Sequence, residues 1–326
     1  MSKERHQSAH RKLFWLSLCL PILLVSPVFA LDPAKVLTQY NFASWSQKEG
    51  LAQSDIRALA QTTDGYLWLG TSTGLVRFDG VRFVRWEPEN GWNRPNIYIT
   101  CLFAAYDGSL WVGSVSGGVS RIKDGQATHY TERDGLTEGY TEVIGGSDDG
   151  SIWVGGVRGL NLFRDNAWRH FDARDGLPGK QVFGLFEDSK KRFWVGTDAG
   201  LARRKGKTDS FEIIGAFSGA VRAIGEDPEG RIWIAAPDVP LRAVVNDNVA
   251  EPPPATAKIP NIFRILFDRQ GNLLVATNGN GLYRLRRNAG TGRASSVEAF
   301  GKKEGLTNDT VLGAIEDREG NVWVGT

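Results

Sequence analysis

Apolar and polar residues alternate along this chain in short runs, and the runs recur with a period near 42 residues. The clearest mark is the phrase Gly-x-Leu/Ile-Trp-Val/Leu-Gly at Gly65–Gly70, Gly108–Gly113, Gly150–Gly155 and Gly320–Gly325. Weaker forms stand at Arg192–Gly196, Gly230–Ala235 and Gly271–Ala276. Its anchor is Trp68, Trp111, Trp153, Trp194, Trp233, Leu274 and Trp323, at spacings of 43, 42, 41, 39, 41 and 49. Twelve residues before each anchor stand Ile56, Ile99, Thr141, Val182, Val221, Ile262 and Val311. All are β-branched, the choice of a strand rather than a helix. Turns carrying Asp with Gly follow, such as Asp64-Gly65, Asp107-Gly108 and Asp149-Gly150. Within the first unit the pattern predicts strands at Tyr66–Thr71, Leu75–Phe78 and Arg82–Trp86 after the opening strand.

Two further marks keep the register. A Gly-Leu pair precedes the anchor by eighteen residues at Gly50, Gly135, Gly176 and Gly305, and an aromatic precedes that Gly by five at Trp45, Tyr130, Phe171 and Phe300. Four short strands in about 42 residues, repeated, are what one blade of a β-propeller requires. A lone blade leaves both faces apolar, and stacking blades into a ring buries them. The expectation is therefore an all-β, seven-bladed β-propeller of four-stranded blades spanning residues 31–326. Its last blade would be incomplete, because the sequence stops two strands into unit seven at Thr326. The segment Gln39–Ser46, with Trp45, would serve as the N-terminal strand closing the ring. An edge left unpaired at Thr326 suggests a domain that continues beyond this sequence. Units five and six depart most, with Ala235-Ala236, a Pro-rich loop at Val249–Pro260, Leu274 in place of Trp and a long loop around Asn288–Ser296.

Composition changes the picture at the N-terminus. Lys3, Arg5, Arg11 and Lys12 against Glu4 precede an apolar stretch from Leu13 to Val28 and the small-residue site Val28-Phe29-Ala30. Residues 1–30 thus predict a signal peptide, and an exported, periplasmic domain after it. Without that segment the formal charge of +2 falls to −1, which gives no electrostatic reason to expect nucleic acid as a partner. Cys101 is then the one cysteine left, so no intrachain disulfide is expected. The 11 Trp and 39 Gly suit inter-blade anchors and tight turns.

The repeat resembles a known family. Gln61-Thr62-Thr63-Asp64-Gly65-Tyr66-Leu67-Trp68-Leu69-Gly70-Thr71, continued by Gly74 to Gly80, is similar to the two-component regulator propeller repeat, as is Glu304 to Val311 leading into Asp317–Thr326. The resemblance implies a periplasmic sensor region of a hybrid two-component histidine kinase or a diguanylate cyclase, with a membrane helix and output module outside this sequence. It also implies an oligosaccharide or other small-molecule ligand. Membrane association would come only through those further parts, leaving the full-length protein at the inner membrane. A homodimer is left open.

Residues for chemistry are sparse. After the first thirty residues only His129 and His170 remain, one repeat apart, so no metal site is expected, and no phosphate loop or cofactor fingerprint occurs. The recurrent Asp64, Asp107, Asp149, Asp188, Asp227, Asp268 and Asp317 read as turn residues. Side chains that break the repeat are better candidates. Eleven residues before the anchors stand Arg57, Thr100, Glu142, Phe183, Arg222, Phe263 and Leu312. Asp55, Tyr98, Tyr140 and Lys180 lie in the loops leading into the first strands, and Arg158, Asp198, Asp238 and Asn278 in the turns after the anchor strand. Connectivity puts both sets at one mouth of the ring. The pore-face ligand candidates are Asp55, Arg57, Tyr98, Tyr140, Glu142, Arg158, Lys180, Asp198, Arg222 and Asn278, with no catalytic residue nominated. A free periplasmic scaffold for a protein partner is the alternative, and a polysaccharide-active enzyme using Glu142 or Asp198 comes third.

Overall fold

The computed structural model describes residues 37–326 apart from 41, 52–54, 92–96, 252, 253, 255, 257 and 288–293. The expected signal peptide, and parts of the Pro-rich loop and of the loop after Asn288, lie outside the described residues. Six sheets of four antiparallel strands follow one another, each with its strands in chain order. Unit four is representative, with strands Val182–Glu187, Phe193–Thr197, Gly200–Arg204 and Phe211–Ile214. The first strands are Ile56–Gln61, Ile99–Ala104, Thr141–Gly146, Val182–Glu187, Ala223–Glu226, Ile262–Phe267 and Gly313–Glu316. Each lies beside the first strand of the next unit, and the seventh returns to the first, so they enclose a central channel. Among the described residues no helix is long and apolar enough to cross a membrane.

This corrects the expectation of seven blades. The structure has six four-stranded blades, and the seventh unit is a two-stranded sheet of Gly313–Glu316 and Val322–Gly325. Nor does the N-terminal segment close the ring as a strand, since residues 42–46 form no ladder. The reason is geometric. An outer strand hydrogen-bonds to a third strand, one inter-strand spacing (about 4.8 Å) beyond the anchor strand, and among the described residues unit seven has none. The segment is held on unit six instead. Glu298 accepts a bond from the Leu37 N–H (3.0 Å), Arg284 Nη1 donates to the Tyr40 hydroxyl (3.1 Å), and Phe42 meets Phe300 edge-on at 5.8 Å. Trp45 still performs the packing role of a fourth-strand aromatic. It stacks on Trp323 at 5.2 Å, as Tyr130 stacks on Trp111 at 5.8 Å.

The anchor tryptophans fill the layers between units. Trp153 is fully buried and stacks on Phe193 of the next unit at 4.8 Å. One apolar cluster occupies each junction, including Trp323 with Leu67, Leu69 and Phe78 where unit seven meets unit one. Burying an indole demands a partner for its N–H. The recurrent Asp turn supplies it in two ways. Asp188, Asp227 and Asp317 accept directly from Trp194, Trp233 and Trp323 at 2.9, 2.9 and 2.6 Å. Thr62, Ser109 and Ser147 accept from Trp68, Trp111 and Trp153, and donate in turn to Asp64, Asp107 and Asp149. In unit six, where Leu274 has no indole N–H, Asp268 accepts from the Asn272 side-chain amide instead (2.9 Å).

At three of its four places the Gly-Leu mark follows a single turn of 3-10 helix. At Gln47–Glu49, Glu132–Asp134 and Ala173–Asp175 a capping box closes the turn, and Gly50, Gly135 and Gly176 follow at φ 91°, 101° and 100°. That left-handed backbone is where a residue without Cβ is favoured. The next residues, Leu51, Leu136 and Leu177, are buried as plugs beneath it.

Candidate functional site

Where the first strand begins in five of the seven units, the ladder slips. Two residues oppose one at Ile56/Ala58, Ile99/Cys101, Val182/Gly184 and Ile262/Arg264, and Gly155/Gly156 marks the same slip in unit three. The extra residues are Arg57, Thr100, Glu142, Phe183 and Phe263. In units five and seven Arg222 N and Leu312 N bond to Ala235 O and Gly325 O, the residues that pair with Ala223 and Gly313. Five of the seven residues eleven places before the anchors are thus bulges, and Arg222 and Leu312 hold the equivalent place just before their strands. A bulge re-aims its side chain out of the ladder, here around the channel mouth.

Three of the predicted residues form one group. Arg57 Nε lies 3.7 Å from Asp55 Oδ2, its guanidinium stands over the Tyr98 ring at 4.7 Å, and the Tyr98 hydroxyl donates to Asp55 at 3.4 Å. Burial pushes the Tyr98 phenol up, and the Asp55 charge adds to it while Arg57 opposes. A second group is Tyr140 with Glu142. Burial raises the Tyr140 pKa first, and the charge and hydrogen bond of Glu142 raise it further, while Arg222 acts the other way. Arg222 itself stacks on Phe183 with its guanidinium 4.0 Å from the ring centroid.

The remaining predicted residues join loops to turns. Arg158 pairs with Glu138 of its own lead-in loop at 3.2 Å, an exposed contact worth little in stability. Asp198 Oδ1 accepts from the Gln181 N–H (3.0 Å), so that carboxylate is spent on holding the loop. Asn278 accepts from Thr310 of unit seven at 3.4 Å. Lys180 is exposed and joins neither group.

Sequence reading passed over Arg264. It lies in the first strand of unit six and reaches the channel, where Nε donates to Leu312 C=O at 3.2 Å. Enclosure holds its pKa below the usual guanidinium value, and Cys101 and Glu142 oppose that. Counting ten residues back from each anchor would have found it, because the other six units carry Ala58, Cys101, Val143, Gly184, Ala223 and Gly313 there. Cys101 is buried, and its thiol is pushed up to about 12. No group of three His, Cys, Asp or Glu able to hold a metal occurs among the described residues. On the opposite face a cleft of about 290 Å³ lies between units two and three. Its lining includes Tyr106, Trp111, Phe163 and the Asp107–Arg121 and Asp149–Arg164 pairs.

Solved structures share this architecture. The extracellular domain ascribed to a hybrid two-component system of B. thetaiotaomicron is 20% identical, with a TM-score of 0.72 over 87% of this chain and 40% of that one. An extracellular domain ascribed to a one-component system of the same organism is 23% identical, with a TM-score of 0.70 over 85% of this chain and 38% of that one. Virginiamycin B lyase from Staphylococcus aureus is 15% identical, with a TM-score of 0.64 over 84% of this chain and 92% of that one. The chain spans about 40% of the length of the first of these structures. At these identities the likeness establishes the fold. No curated protein matches the chain. Residues 50–73, 176–199 and 305–326 match the two component regulator propeller, each running from the glycine of a Gly-Leu turn into the anchor strand. Over these three repeats the chain is similar to the two-component regulator propeller family.

Proposed function

We propose that the chain is the exported, ligand-sensing input region of a transmembrane signalling receptor, without catalysis of its own. The observation that carries this reading is the repeat, matched in three separate units. Two structural neighbours are extracellular domains ascribed to two-component and one-component systems, which supports it. The side chains that break the repeat are concentrated where first strands begin, as a binding mouth on a repetitive scaffold requires. Ligand binding there would bias the packing of neighbouring units, and through it an output module, a histidine kinase or a diguanylate cyclase. A periplasmic domain anchored at the inner membrane is the setting this reading implies.

Titration calorimetry of the purified chain with a panel of oligosaccharides, peptides and small acids tests the sensing half. Binding of one class, abolished by substitutions at Glu142 or Arg222, supports it, and no binding by a folded ring sinks it. The reading frame past Thr326 tests the receptor half. A membrane helix and a kinase or cyclase module would support it. A stop codon would favour a free scaffold for a protein partner.

A further inference from the structure

The ladder position ten residues before the anchor pairs with the small residue that ends the anchor motif. The pairs are Ala58 with Gly70, Cys101 with Gly113, Val143 with Gly155, Gly184 with Gly196, Ala223 with Ala235, Arg264 with Ala276 and Gly313 with Gly325. Six units put a small or medium uncharged side chain there, and unit six puts a guanidinium. A surface arginine would need no explanation, but this one stands inside the ring. Its Nε is bonded to the main chain of unit seven, and that is its one hydrogen bond among the described residues. No described carboxylate stands at ion-pair distance from it. Glu142 acts on it through its field rather than by contact. Arg222 is in the same condition, stacked on Phe183 with no ion pair among the described residues. By contrast Arg57 has Asp55 beside it, and that pair is neutral in sum.

Keeping a guanidinium in an enclosed channel costs desolvation that one carbonyl does not return. The planar fork of Arg leaves paired N–H donors suited to a carboxylate held at two points. Phe263, whose ring centroid lies 5.9 Å from the Arg264 guanidinium, and Phe183 add apolar surface nearby. We propose that the channel is an anion site in which Arg264 clamps the carboxylate of a small organic acid and Arg222 supplies a second positive charge at the rim. Glu142 opposes a second negative charge, so the site takes monoanions. The ligand's role as a signal rests on the sensing reading above; its chemistry does not.

The test titrates the chain with benzoate, glucuronate and N-acetylglycine, each beside a neutral counterpart, benzyl alcohol, glucose and N-methylacetamide. These arms separate an aromatic acid, an acidic sugar and a peptide-like carboxylate. At least one acid binds and its counterpart does not. Arg264→Ala, which installs the residue that units one and five carry there, weakens that acid about 10- to 100-fold, the range for losing a hydrogen bond to a charged group. Arg264→Lys retains part of the affinity, and Glu142→Gln tightens binding by removing a like charge. Equal binding of acid and counterpart overturns the inference. So does an Arg264→Ala chain that folds and binds as the wild type does, or no acid bound at millimolar concentration. If a neutral oligosaccharide binds and Arg264→Ala leaves it unchanged, the anion site falls and the sensing reading stands. If the acid binds through Arg264 and the receptor's output stays unchanged, the sensing reading falls and the anion site stands.

Discussion

Gly196→Ala tests why the anchor motif ends in glycine. In unit four Gly196 pairs with Gly184 and Leu201, and Val221, in the segment leading into the first strand of unit five, packs against it. A Cβ at Gly196 would lie 2.4 Å from the carbonyl oxygen of Val221, 2.9 Å from its Cγ1 and 3.1 Å from its Cβ. Val221 cannot retreat freely. It is fully buried, and its N–H donates to Thr197 O at 2.8 Å. Relief needs a backbone shift of most of an ångström, which stretches that bond and opens the junction between units. Overpacking of this kind costs about 1–3 kcal/mol, and a lost hydrogen bond adds about 1 kcal/mol. We expect about 3 kcal/mol, or a fall in Tm of roughly 5 °C at an unfolding entropy of about 2.1 cal/mol/K per residue. The control is Gly206→Ala, where nothing lies within 4 Å of the new Cβ and only the backbone at φ +58° resists. That strain is about 1–2 kcal/mol. Thermal and urea unfolding followed by tryptophan fluorescence reads both. A Gly196→Ala chain no less stable than Gly206→Ala would refute close approach as the reason for the glycine.

Further expectations concern the anchors, the seam and the buried groups. Trp153→Ala should cost about 3–5 kcal/mol in urea unfolding, the range for removing a fully buried large aromatic; a loss like that of a surface change would mean that the layer repacks. Asp227 is resisted by burial, yet bonds from Trp233, the Arg231 N–H and the Arg231 guanidinium outweigh that and hold its pKa below the usual carboxylate value. Its stabilisation is therefore complete above the unfolded value, about 3.9, and is lost as pH falls through the lower folded one. Asp227→Asn should flatten that acid limb of a stability–pH curve, and an unchanged limb contradicts the linkage. Trp45→Ala removes the stack on Trp323 and should speed hydrogen exchange at Gly325 and Ile56 more than at unit four; uniform exchange would show that Trp45 does not hold the seam. The Cys101 thiol should resist alkylation at pH 8 until the chain unfolds, because burial keeps it protonated; rapid labelling of the native ring would refute that.

Repetition made most of the fold legible. Period, strand type and turn chemistry are local properties, and each was read several times over from equivalent residues such as Trp68, Trp111 and Trp153. The row eleven residues before the anchors was visible as a set of irregular side chains, although a sequence does not say that a ladder slips there. The Asp turns were read as turns, but their role as acceptors for buried indoles depends on which way each tryptophan faces. Arg264 was legible too, one column beside the row that drew attention.

The sequence by itself determined the all-β repeat, the junction aromatics and the residues that depart from the pattern, because nearest-neighbour periodicity and propensity encode them. Tertiary structure decided how the ends meet. Trp45 matches Tyr130 and Phe171 in sequence, yet it stacks on Trp323 without joining a sheet. The contact across that seam is ring on ring, and among the described residues no ladder joins residues 42–46 to unit seven. Whether residues far apart in sequence pair depends on the ladder standing between them in space, and no local pattern carries that information.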